Sequence, residues 1–572
     1  MIAVYLDPTI EKYDRQIKFA LEFMLNTSGF SWKYLDPETE LNHNDVIVFY
    51  SPTLPDSVYL EWMITNHSFV HIPFNKDLYV KGFFSGDQLK YNIKTFNIED
   101  GLPYISSKRS HKSPVNFVEY SLGDSSPRKS SRYCTFDFDI IGNIFFHISD
   151  DNRNHINTKD KKGDLDLNEL GFHDYFHIPY INHFIDFFSL ILKELIESKN
   201  LWGIKRCMWP ANQDFAAIIT HNLDKMQKWS IGTLIKSFFE NIYLFFTFRF
   251  HFLIKNIVSV LVYFFSNIEE YWNIYEISKI EKKFKFNSTW FVGVNRDKKP
   301  LYDYDFNDND VLKELGDIVK NGSEVALLYK SAEKTTERIK KEFDMLMSKI
   351  KINKSGIRHI DYFCEVEKID KIQTDMGMKF DSSRQLKSKK AFYNGFALPY
   401  PMYSAETIAA NHSVIQFPIT FSDDFLIFEK YKYATFTEAM NQIKDIVATV
   451  KKVKGLFLLQ LSNSLYHDIS YMPKLFEYTL DLMKTQNAFV STCSDMVEWL
   501  ENRNQMNIIE DGNRIIIRFL IYIEQITFEI VGNKIISNVF GGNCSYKKNI
   551  VQFVNVFKGL EVEINLVDME PE

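Results

Sequence analysis

Seven short apolar segments, separated by longer stretches, constrain the fold of this chain more than any other feature. From about residue 212 they are DFAAIIT, STWFVGV, EVALLYK, GIRHI, MKFDSS, VIQFPIT and GLFLLQL. Long helical patterns such as AEKTTERIKKEFDMLMSKI and FTEAMNQIKDIVATVKKV lie between several of them. Crossover connections of this length predict parallel strands, and therefore a barrel-like α/β domain. In such barrels the chemistry lies at the carboxyl ends of the strands and in the loops that follow.

The sequence on either side of this series predicts further domains, because 572 residues are too many for one ordinary core. Residues 1–125 alternate strand-like and helical pieces and predict an N-terminal α/β domain. A polar stretch at 106–133 predicts a loop or hinge, and residues 126–208 predict a helical connecting segment. The barrel is expected at 209–504, with an aromatic helical insertion at about 226–275. Beyond Asn504 the period-two alternation predicts a C-terminal β-sandwich at 505–572.

Charge and cysteine content limit the partners and the compartment. A net charge of −7, without any nucleic-acid motif, argues against DNA or RNA as a partner. The five cysteines are scattered and never form a CxxC pair, which indicates reduced thiols rather than disulfides or a zinc knuckle. The start MIAVYLDPTIEKYD lacks the basic and apolar regions of a signal peptide. We therefore expect a cytoplasmic protein.

The order of these segments resembles the polysaccharide deacetylase family, the NodB-type domain of carbohydrate esterase family four. The resemblance runs from about Trp209 to Trp499 through FAAIITHNLD, GSEVALLYKSAE, GIRHIDYF, GMKFDSS, IQFPITFSDDFLI, GLFLLQLSNSLYHD and AFVSTCSDMVEWLENR. More narrowly, it is similar to a bacterial subgroup with an LTHDVD first motif and an uncharacterised N-terminal domain. The resemblance implies a distorted (β/α)7 NodB-type barrel within an α/β protein that also has an N-terminal α/β domain and a small C-terminal β-sandwich.

The resemblance also implies what an active site would contain. A divalent metal held by one Asp and two His would activate a water molecule, a second Asp would act as base, and a further His as acid. In this chain Asn222 stands at the base position and Asp224 at the metal-ligand position. Leu328 replaces a His ligand, and Ser462 replaces the acid. One carboxylate does not hold Zn²⁺ against water, so the resemblance implies a degenerate site without a bound metal.

The residues that could still form a pocket lie at the predicted strand ends. The candidates for a degenerate catalytic pocket are His221, Asn222, Asp224, Arg358 and Asp381. The candidates for ligand binding are His359, Asp423, Asp424, Ser462 and Asn463. We expect Arg358 to pair with Asp381. A glycosidase built on the paired carboxylates Asp423 and Asp424 is disfavoured, because paired acids on a solvated loop are common.

Three hypotheses for function follow. The leading one is a non-catalytic deacetylase-like protein that binds a glycan or a polysaccharide-assembly protein in bacterial surface-polysaccharide metabolism. The second is an active hydrolase that removes N- or O-acyl groups from a sugar. It needs Zn²⁺ or another divalent metal at a rebuilt site, in which Asp224 and His221 are joined by His359 or His467. The third is a scaffold docked to a membrane through residues 241–265.

Two further segments have alternative interpretations. Residues 241–265 are strongly apolar, but Arg249, His251 and Lys255 interrupt them, and the uncharged pieces are shorter than the ~20 residues of a spanning helix. The segment predicts either a helical insertion packed on the body or a peripheral helix at a membrane surface. Residues 158–169, TKDKKGDLDLNE, imitate a calcium-binding loop. Lys162 at a ligand position argues against Ca²⁺.

Overall fold

The seven strands expected after residue 212 are all present and form one curled sheet. A computed structural model describes the chain over residues 1–35, 41, 45–56, 67–80, 93–96, 102–105, 115–121, 130–150, 172–266, 269–294, 302–330, 336–360, 366–386, 392–403, 414–429 and 432–569. The calcium-like segment at 158–169 lies outside the described residues.

The N-terminal part contains a six-stranded sheet in the order β2-β1-β3-β4-β8-β7, in which β7 and β8 are antiparallel and the other neighbours parallel. Its strands, with the separate pair β5 and β6, are β1 (Ile2–Leu6), β2 (Trp32–Tyr34), β3 (Val46–Ser51), β4 (Ser68–Pro73), β5 (Ile93–Phe96), β6 (Leu102–Ile105), β7 (Val115–Ser121) and β8 (Ser130–Phe136). The helices among the described residues of this part are α1 (Asp14–Ser28), α2 (Ile140–Ile148) and α3 (Tyr180–Ser198). Gly29 ends α1 in the left-handed conformation, at φ 84°.

Two expectations for this part were wrong in detail. The polar stretch 106–133, expected as a loop, contains β7 and the start of β8, whose antiparallel ladder runs from Val115 opposite Phe136 to Ser121 opposite Ser130. The aromatic and β-branched residues of VNFVEYS outweigh their polar flanks once β8 supplies a partner. The connecting segment 126–208 holds the helices α2 and α3 but also β8 and a further strand, β9 (Trp202–Arg206). The domain boundaries themselves stay predictions.

The central sheet has the order β15-β16-β14-β13-β12-β11-β10-β20-β17, and β21 also pairs with β10. Its strands, with the separate pair β18 and β19, are β10 (Phe215–Leu223), β11 (Thr289–Val292), β12 (Glu324–Tyr329), β13 (Ile357–His359), β14 (Phe380–Asp381), β15 (Tyr400–Pro401), β16 (Ile415–Gln416), β17 (Phe421–Ser422), β18 (Ile427–Glu429), β19 (Lys432–Tyr433), β20 (Leu456–Ser462) and β21 (Ala488–Ser491). All nine residues of β10 are buried, as in a parallel strand covered on both faces.

One segment connects the two ends of this sheet. The backbone N–H of Phe417 donates to the carbonyl of Asp381, the last residue of β14 (2.9 Å). Three residues later the N–H of Thr420 donates to the carbonyl of Leu458 in β20 (3.2 Å). Because β14 and β20 lie near opposite ends of the sheet, the sheet must curl strongly.

The helices described in this region follow the strands of the sheet in the chain. They are α4 (Ile231–Phe246), α5 (Phe250–Ser266), α6 (Ile274–Phe284), α7 (Asn309–Lys320), α8 (Thr336–Ile350), α9 (Val366–Asp375), α10 (Phe436–Lys452), α11 (Asn463–Asp468), α12 (Met472–Thr485) and α13 (Cys493–Asn502). The expected aromatic insertion is the helical pair α4 and α5. Among the helices in the described part of the chain, none is long and apolar enough to cross a membrane.

The C-terminal part consists of two four-stranded antiparallel sheets, with the orders β22-β23-β28-β25 and β26-β27-β24-β9. Its strands are β22 (Met506–Asp511), β23 (Arg514–Phe519), β24 (Ile523–Gly532), β25 (Lys534–Phe540), β26 (Asn543–Lys547), β27 (Ile550–Val556) and β28 (Glu561–Asp568). Phe519 of the first sheet packs against Phe553 of the second, with ring centroids 6.0 Å apart. The second sheet is completed by β9, which comes from before the central sheet.

Candidate functional site

Arg358 lies at the centre of a polar cluster at the carboxyl ends of β10, β13 and β14. Its side chain is buried, and its Nη1 donates to Oδ1 of Asn222 (2.8 Å). Nη2 donates to the hydroxyls of Thr220 (3.0 Å) and Ser382 (2.8 Å), and Nε donates to the carbonyl of Ser382 (2.9 Å). The guanidinium carbon also lies 3.9 Å from the centroid of the Phe291 ring. All four hydrogen-bond acceptors are uncharged, so neutral dipoles hold this buried cation.

The electrostatics of the cluster follow from this arrangement. Burial lowers the pKa of Arg358 to about 9, although the charges of Asp381 and Asp423 oppose the shift. The expected pair between Arg358 and Asp381 is not formed, since within the described residues no ion pair joins them. Asp381 stands opposite Ile357 in the ladder, one residue out of step with Arg358, so the two side chains point to opposite faces of the sheet. Asp381 accepts instead from the Ser383 N–H (2.7 Å).

Two of the candidate imidazoles face away from Arg358. His221 lies between Thr220 and Asn222, so strand alternation directs it to the opposite face of the sheet. Its Nε2 is 2.7 Å from Oε1 of Glu281, and both residues are buried. The same alternation turns His359 away from Arg358. The His359 ring is buried, and its Nε2 lies 3.4 Å from the side-chain nitrogen of Gln373.

Asp224, just beyond β10, is held by the segment that follows β20. Its two carboxylate oxygens each lie 3.0 Å from the donating hydroxyl of Ser464. Burial raises the pKa of Asp224 to about 6, and the neighbouring Lys225 opposes this shift. Asn463 is fully buried, with Oδ1 accepting from the Asp224 N–H (3.2 Å) and Nδ2 donating to the carbonyl of Tyr271 (2.9 Å). The Asn463 amide therefore fixes loop backbone.

Asp423 and Asp424, expected together on a solvated loop, occupy different environments. Asp424 is exposed, whereas the Asp423 side chain is fully buried. Oδ2 of Asp423 accepts from the Ser462 N–H (2.5 Å), and its Oδ1 has no hydrogen-bond partner among the described residues. Burial, and then the charge of Asp424, raise the pKa of Asp423 well above its usual range. The expectation of a solvated loop was therefore wrong for Asp423, because this residue follows β17 into the interior.

The residues at this site do not fit the divalent metal that the family resemblance implies. Leu328 is fully buried and stands opposite Arg358 in the ladder, where it offers no ligand atom. The carboxylate of Asp224 is bound by Ser464, and Nε2 of His467 lies 3.1 Å from Oε2 of Glu270. Over the part of the chain that the structure describes, no group of three or more His, Cys, Asp or Glu side chains could hold a metal ion.

Some residues of the site were not among the candidates that the sequence offered. Thr220 and Ser382 supply three of the four acceptors of Arg358, and Ser464 binds Asp224. Thr220 could have been found, because it lies two residues before Asn222 and strand alternation places both on one face. Ser464 carried no comparable indication, since its partner lies 240 residues earlier in the chain.

Comparisons with known proteins give structural likenesses only. No family model matches the chain, and neither does any curated protein. Solved polysaccharide deacetylases are similar to this chain. A Mycobacterium smegmatis protein provisionally assigned as a polysaccharide deacetylase is 13% identical with a TM-score of 0.36, over 52% of this chain and 93% of its own. A probable polysaccharide deacetylase from Pseudomonas aeruginosa PAO1 is 11% identical with a TM-score of 0.35, over 51% and 92%. The PuuE allantoinase is 12% identical with a TM-score of 0.35, over the same shares. Likenesses this distant say nothing about the reaction or ligand of this chain.

Proposed function

We propose that this protein is a catalytically degenerate, polysaccharide deacetylase-like protein that binds a glycan or a glycan-assembly protein in the cytoplasm. It would serve bacterial surface-polysaccharide metabolism. The observation that carries the proposal is the hydrogen bond from Arg358 to the amide oxygen of Asn222 (2.8 Å). The family resemblance places the catalytic base at Asn222, and an amide cannot take a proton from water near pH 7.

The proposal includes the finer architecture. The curled central sheet would be a NodB-type (β/α)7 barrel, and the two C-terminal sheets would form a sandwich. The hydrogen bonds of Phe417 and Thr420 to strands near opposite ends of the sheet support the barrel. The packing of Phe519 against Phe553 supports the sandwich.

The polar groups of the site suit the binding of a hydroxyl-rich ligand. Among the described residues, the buried Oδ1 of Asp423 has no hydrogen-bond partner, which is costly unless a ligand group reaches it. Asp224 is partly exposed, and its raised pKa allows it to accept or donate near neutral pH. Sugar hydroxyls are both donors and acceptors, and can satisfy such groups. A glycan is therefore the ligand class that this chemistry favours.

The geometry disfavours the alternative of an active hydrolase with a rebuilt metal site. That alternative requires His221, together with His359 or His467, to reach a metal on Asp224. His221 is held by Glu281, His359 contacts Gln373, and His467 lies beside Glu270. A direct ligand nitrogen must come within ~2.0–2.2 Å of zinc, so these side chains would have to leave their present contacts.

Metal titration and an activity assay test the loss of catalysis. Purified protein is titrated calorimetrically with Zn²⁺, Co²⁺ and Ni²⁺, and acetate release from N-acetylglucosamine oligosaccharides is measured with each metal. We expect no binding at micromolar affinity or better, and no acetate. One equivalent of tightly bound metal together with acetate release would overturn the proposal in favour of the active hydrolase.

Two neighbouring carboxylates provide a matched test of glycan binding. On arrays of N-acetylated oligosaccharides, Asp423→Asn should weaken binding by about tenfold, because the Ser462 N–H holds the remaining oxygen and an amide NH2 group replaces the oxygen that would bond the ligand. Asp424→Asn makes the same chemical change on the neighbouring exposed carboxylate and should weaken binding less. Equal effects of the two changes, or no glycan bound by the wild type, would contradict a binding role for this site.

A further inference from the structure

The helices α4 and α5 form a hairpin, residues 231–266, whose apolar side chains point outward. It contains more than half of the large apolar side chains that the described chain exposes. Phe238, Phe239, Phe246, Phe264 and Phe265 are 63%, 64%, 73%, 65% and 87% exposed. On α4 the buried residues are Ser237 and Leu244, and on α5 the buried residue is Ser259. Helices of soluble proteins show the reverse pattern, with the apolar stripe inside.

The polar side chains of this apolar hairpin bond to one another across the two helices. Nδ2 of Asn256 on α5 donates to Oγ of Ser237 (2.9 Å) and to Oδ1 of Asn241 (2.8 Å), both on α4. Ser259 is buried and donates to Glu270, which also receives a hydrogen bond from Lys228 (2.6 Å). Hydrogen bonds between helices, small residues at the contact and an apolar exterior are the arrangement of helices that face lipid.

The hairpin is fixed to the body at the edge of the sheet that carries the candidate site. It begins seven residues after Asp224. Nζ of Lys255 donates to the carbonyls of His467 (2.9 Å) and Asp468 (2.7 Å) in the segment after β20. The ring of Phe252 also contacts Tyr433, with centroids 6.1 Å apart. The apolar face is therefore held in a set position relative to Asn222 and Asp224.

The charge of the hairpin indicates what covers it. Between residues 231 and 266 the hairpin carries three cationic side chains, Lys236, Arg249 and Lys255, and one acidic side chain, Glu240. The net charge of the whole chain is −7. Lys236 is exposed beside the apolar side chains, as is His251. Cations next to an apolar face complement anionic lipid headgroups above acyl chains. A second copy of the hairpin would instead oppose like charges.

We propose that the apolar hairpin docks this protein onto the surface of an anionic lipid bilayer. Its outward Phe, Ile and Leu side chains enter the boundary between headgroups and acyl chains, and the exposed Lys236 contacts the headgroups. Docking places the carboxyl edge of the central sheet, with Asn222 and Asp224, close to the lipid surface. The proposal does not depend on what the site binds.

Vesicle sedimentation tests this proposal on the full chain. The vesicles are phosphatidylcholine with about one-third phosphatidylglycerol, and pure phosphatidylcholine for comparison. We expect the wild type to sediment with the anionic vesicles and more weakly with the neutral ones. A variant with Phe239→Gln, Phe246→Gln and Phe265→Gln should partition at least about tenfold less, because three exposed aromatic side chains no longer enter the interface.

A matched variant controls for the loss of exposed aromatic surface in general. Tyr522, Phe540 and Phe557 lie in the C-terminal part and are 49%, 53% and 65% exposed. Changing all three to Gln should leave vesicle binding as in the wild type, and thermal melts should show both variants folded. The proposal fails if the wild type binds no vesicles, if both triple variants lose binding equally, or if neutral vesicles bind as well as anionic ones. It also fails if the wild type forms a dimer that does not sediment with vesicles and the only effect of the hairpin variant is to abolish that dimer. A second copy of the chain, and not lipid, would then cover the apolar face.

Discussion

Changing Asn222 tests whether the site is built around a neutral acceptor. Asn222→Leu keeps roughly the same volume but removes the oxygen that accepts from Nη1 of Arg358. Asn222→Asp keeps the oxygen and adds a negative charge beside the buried guanidinium. The two variants therefore separate loss of a hydrogen bond from gain of an ion pair at one position.

The expected magnitudes follow from burial and distance. The Leu variant leaves Nη1 of Arg358 buried without an acceptor, which costs about 2–3 kcal/mol for a charged donor. The Asp variant gains about 4 kcal/mol of attraction at a charge separation of ~4 Å and an effective dielectric constant of about 20. Against this stands a cost of several kcal/mol for burying a carboxylate where Asn222 is 8% exposed. These two contributions should cancel to within about 2 kcal/mol.

Scanning calorimetry of both variants, paired with an acetate-release assay, provides the measurement. The unfolding temperature of the Leu variant should fall by a few degrees, whereas that of the Asp variant should stay close to the wild-type value. Neither variant should release acetate with Zn²⁺, because His221 and His359 face away from position 222. An Asp variant less stable than the Leu variant would refute the electrostatic reasoning, and acetate release by the Asp variant would refute the proposed degeneracy.

Three further predictions concern groups around the site and in the N-terminal part. Asn463→Ala removes the bonds to the Asp224 N–H and the Tyr271 carbonyl and should lower the unfolding free energy by about 2–4 kcal/mol in urea titrations. His221→Ala removes the imidazole at Oε1 of the buried Glu281, which keeps the Ser288 hydroxyl at Oε2, and should cost about 1–3 kcal/mol, whereas a catalytic His at this position could be lost with little effect on thermal stability. Burial raises the pKa of Asp139 from 3.8 to about 7, so the folded state binds this proton more tightly than the unfolded state, and stability falls as pH rises from about 4 to about 7. As pH rises over that range, the unfolding free energy of Asp139→Asn should therefore increase relative to that of the wild type, by up to about 4 kcal/mol. A difference in unfolding free energy between variant and wild type that is the same at every pH would contradict this.

The strands of the central sheet could be predicted because each is a short apolar run between longer helical patterns. FAAIITHNL forms β10, and GLFLLQL forms most of β20, which pairs with β10. The strand β7 could not be predicted in the same way, because its segment is flanked by Ser, Lys and Arg, and its stability depends on the partner β8. Local sequence favours a strand there only weakly, and pairing decides the outcome.

The contacts of the candidate site could not be predicted from the sequence. Asn222 and Arg358 were both candidates, yet 136 residues separate them, and no local pattern shows that they touch. His221 adjoins Asn222 at the end of β10, but strand alternation assigns neighbouring residues to opposite faces of the sheet. Its actual partner, Glu281, lies 60 residues further along on α6.

The strand β9 makes the order of synthesis matter for this protein. Its backbone groups pair with β24, which starts at Ile523, so β9 leaves the ribosome roughly 320 residues before its partner. At about 5–20 residues per second, β9 waits for roughly 15–60 s with an open edge. Open strand edges pair readily with other chains, so a translational pause within the residues of the central sheet would lengthen a period of aggregation risk. A shortened protein that stops near residue 504 would keep that edge open permanently.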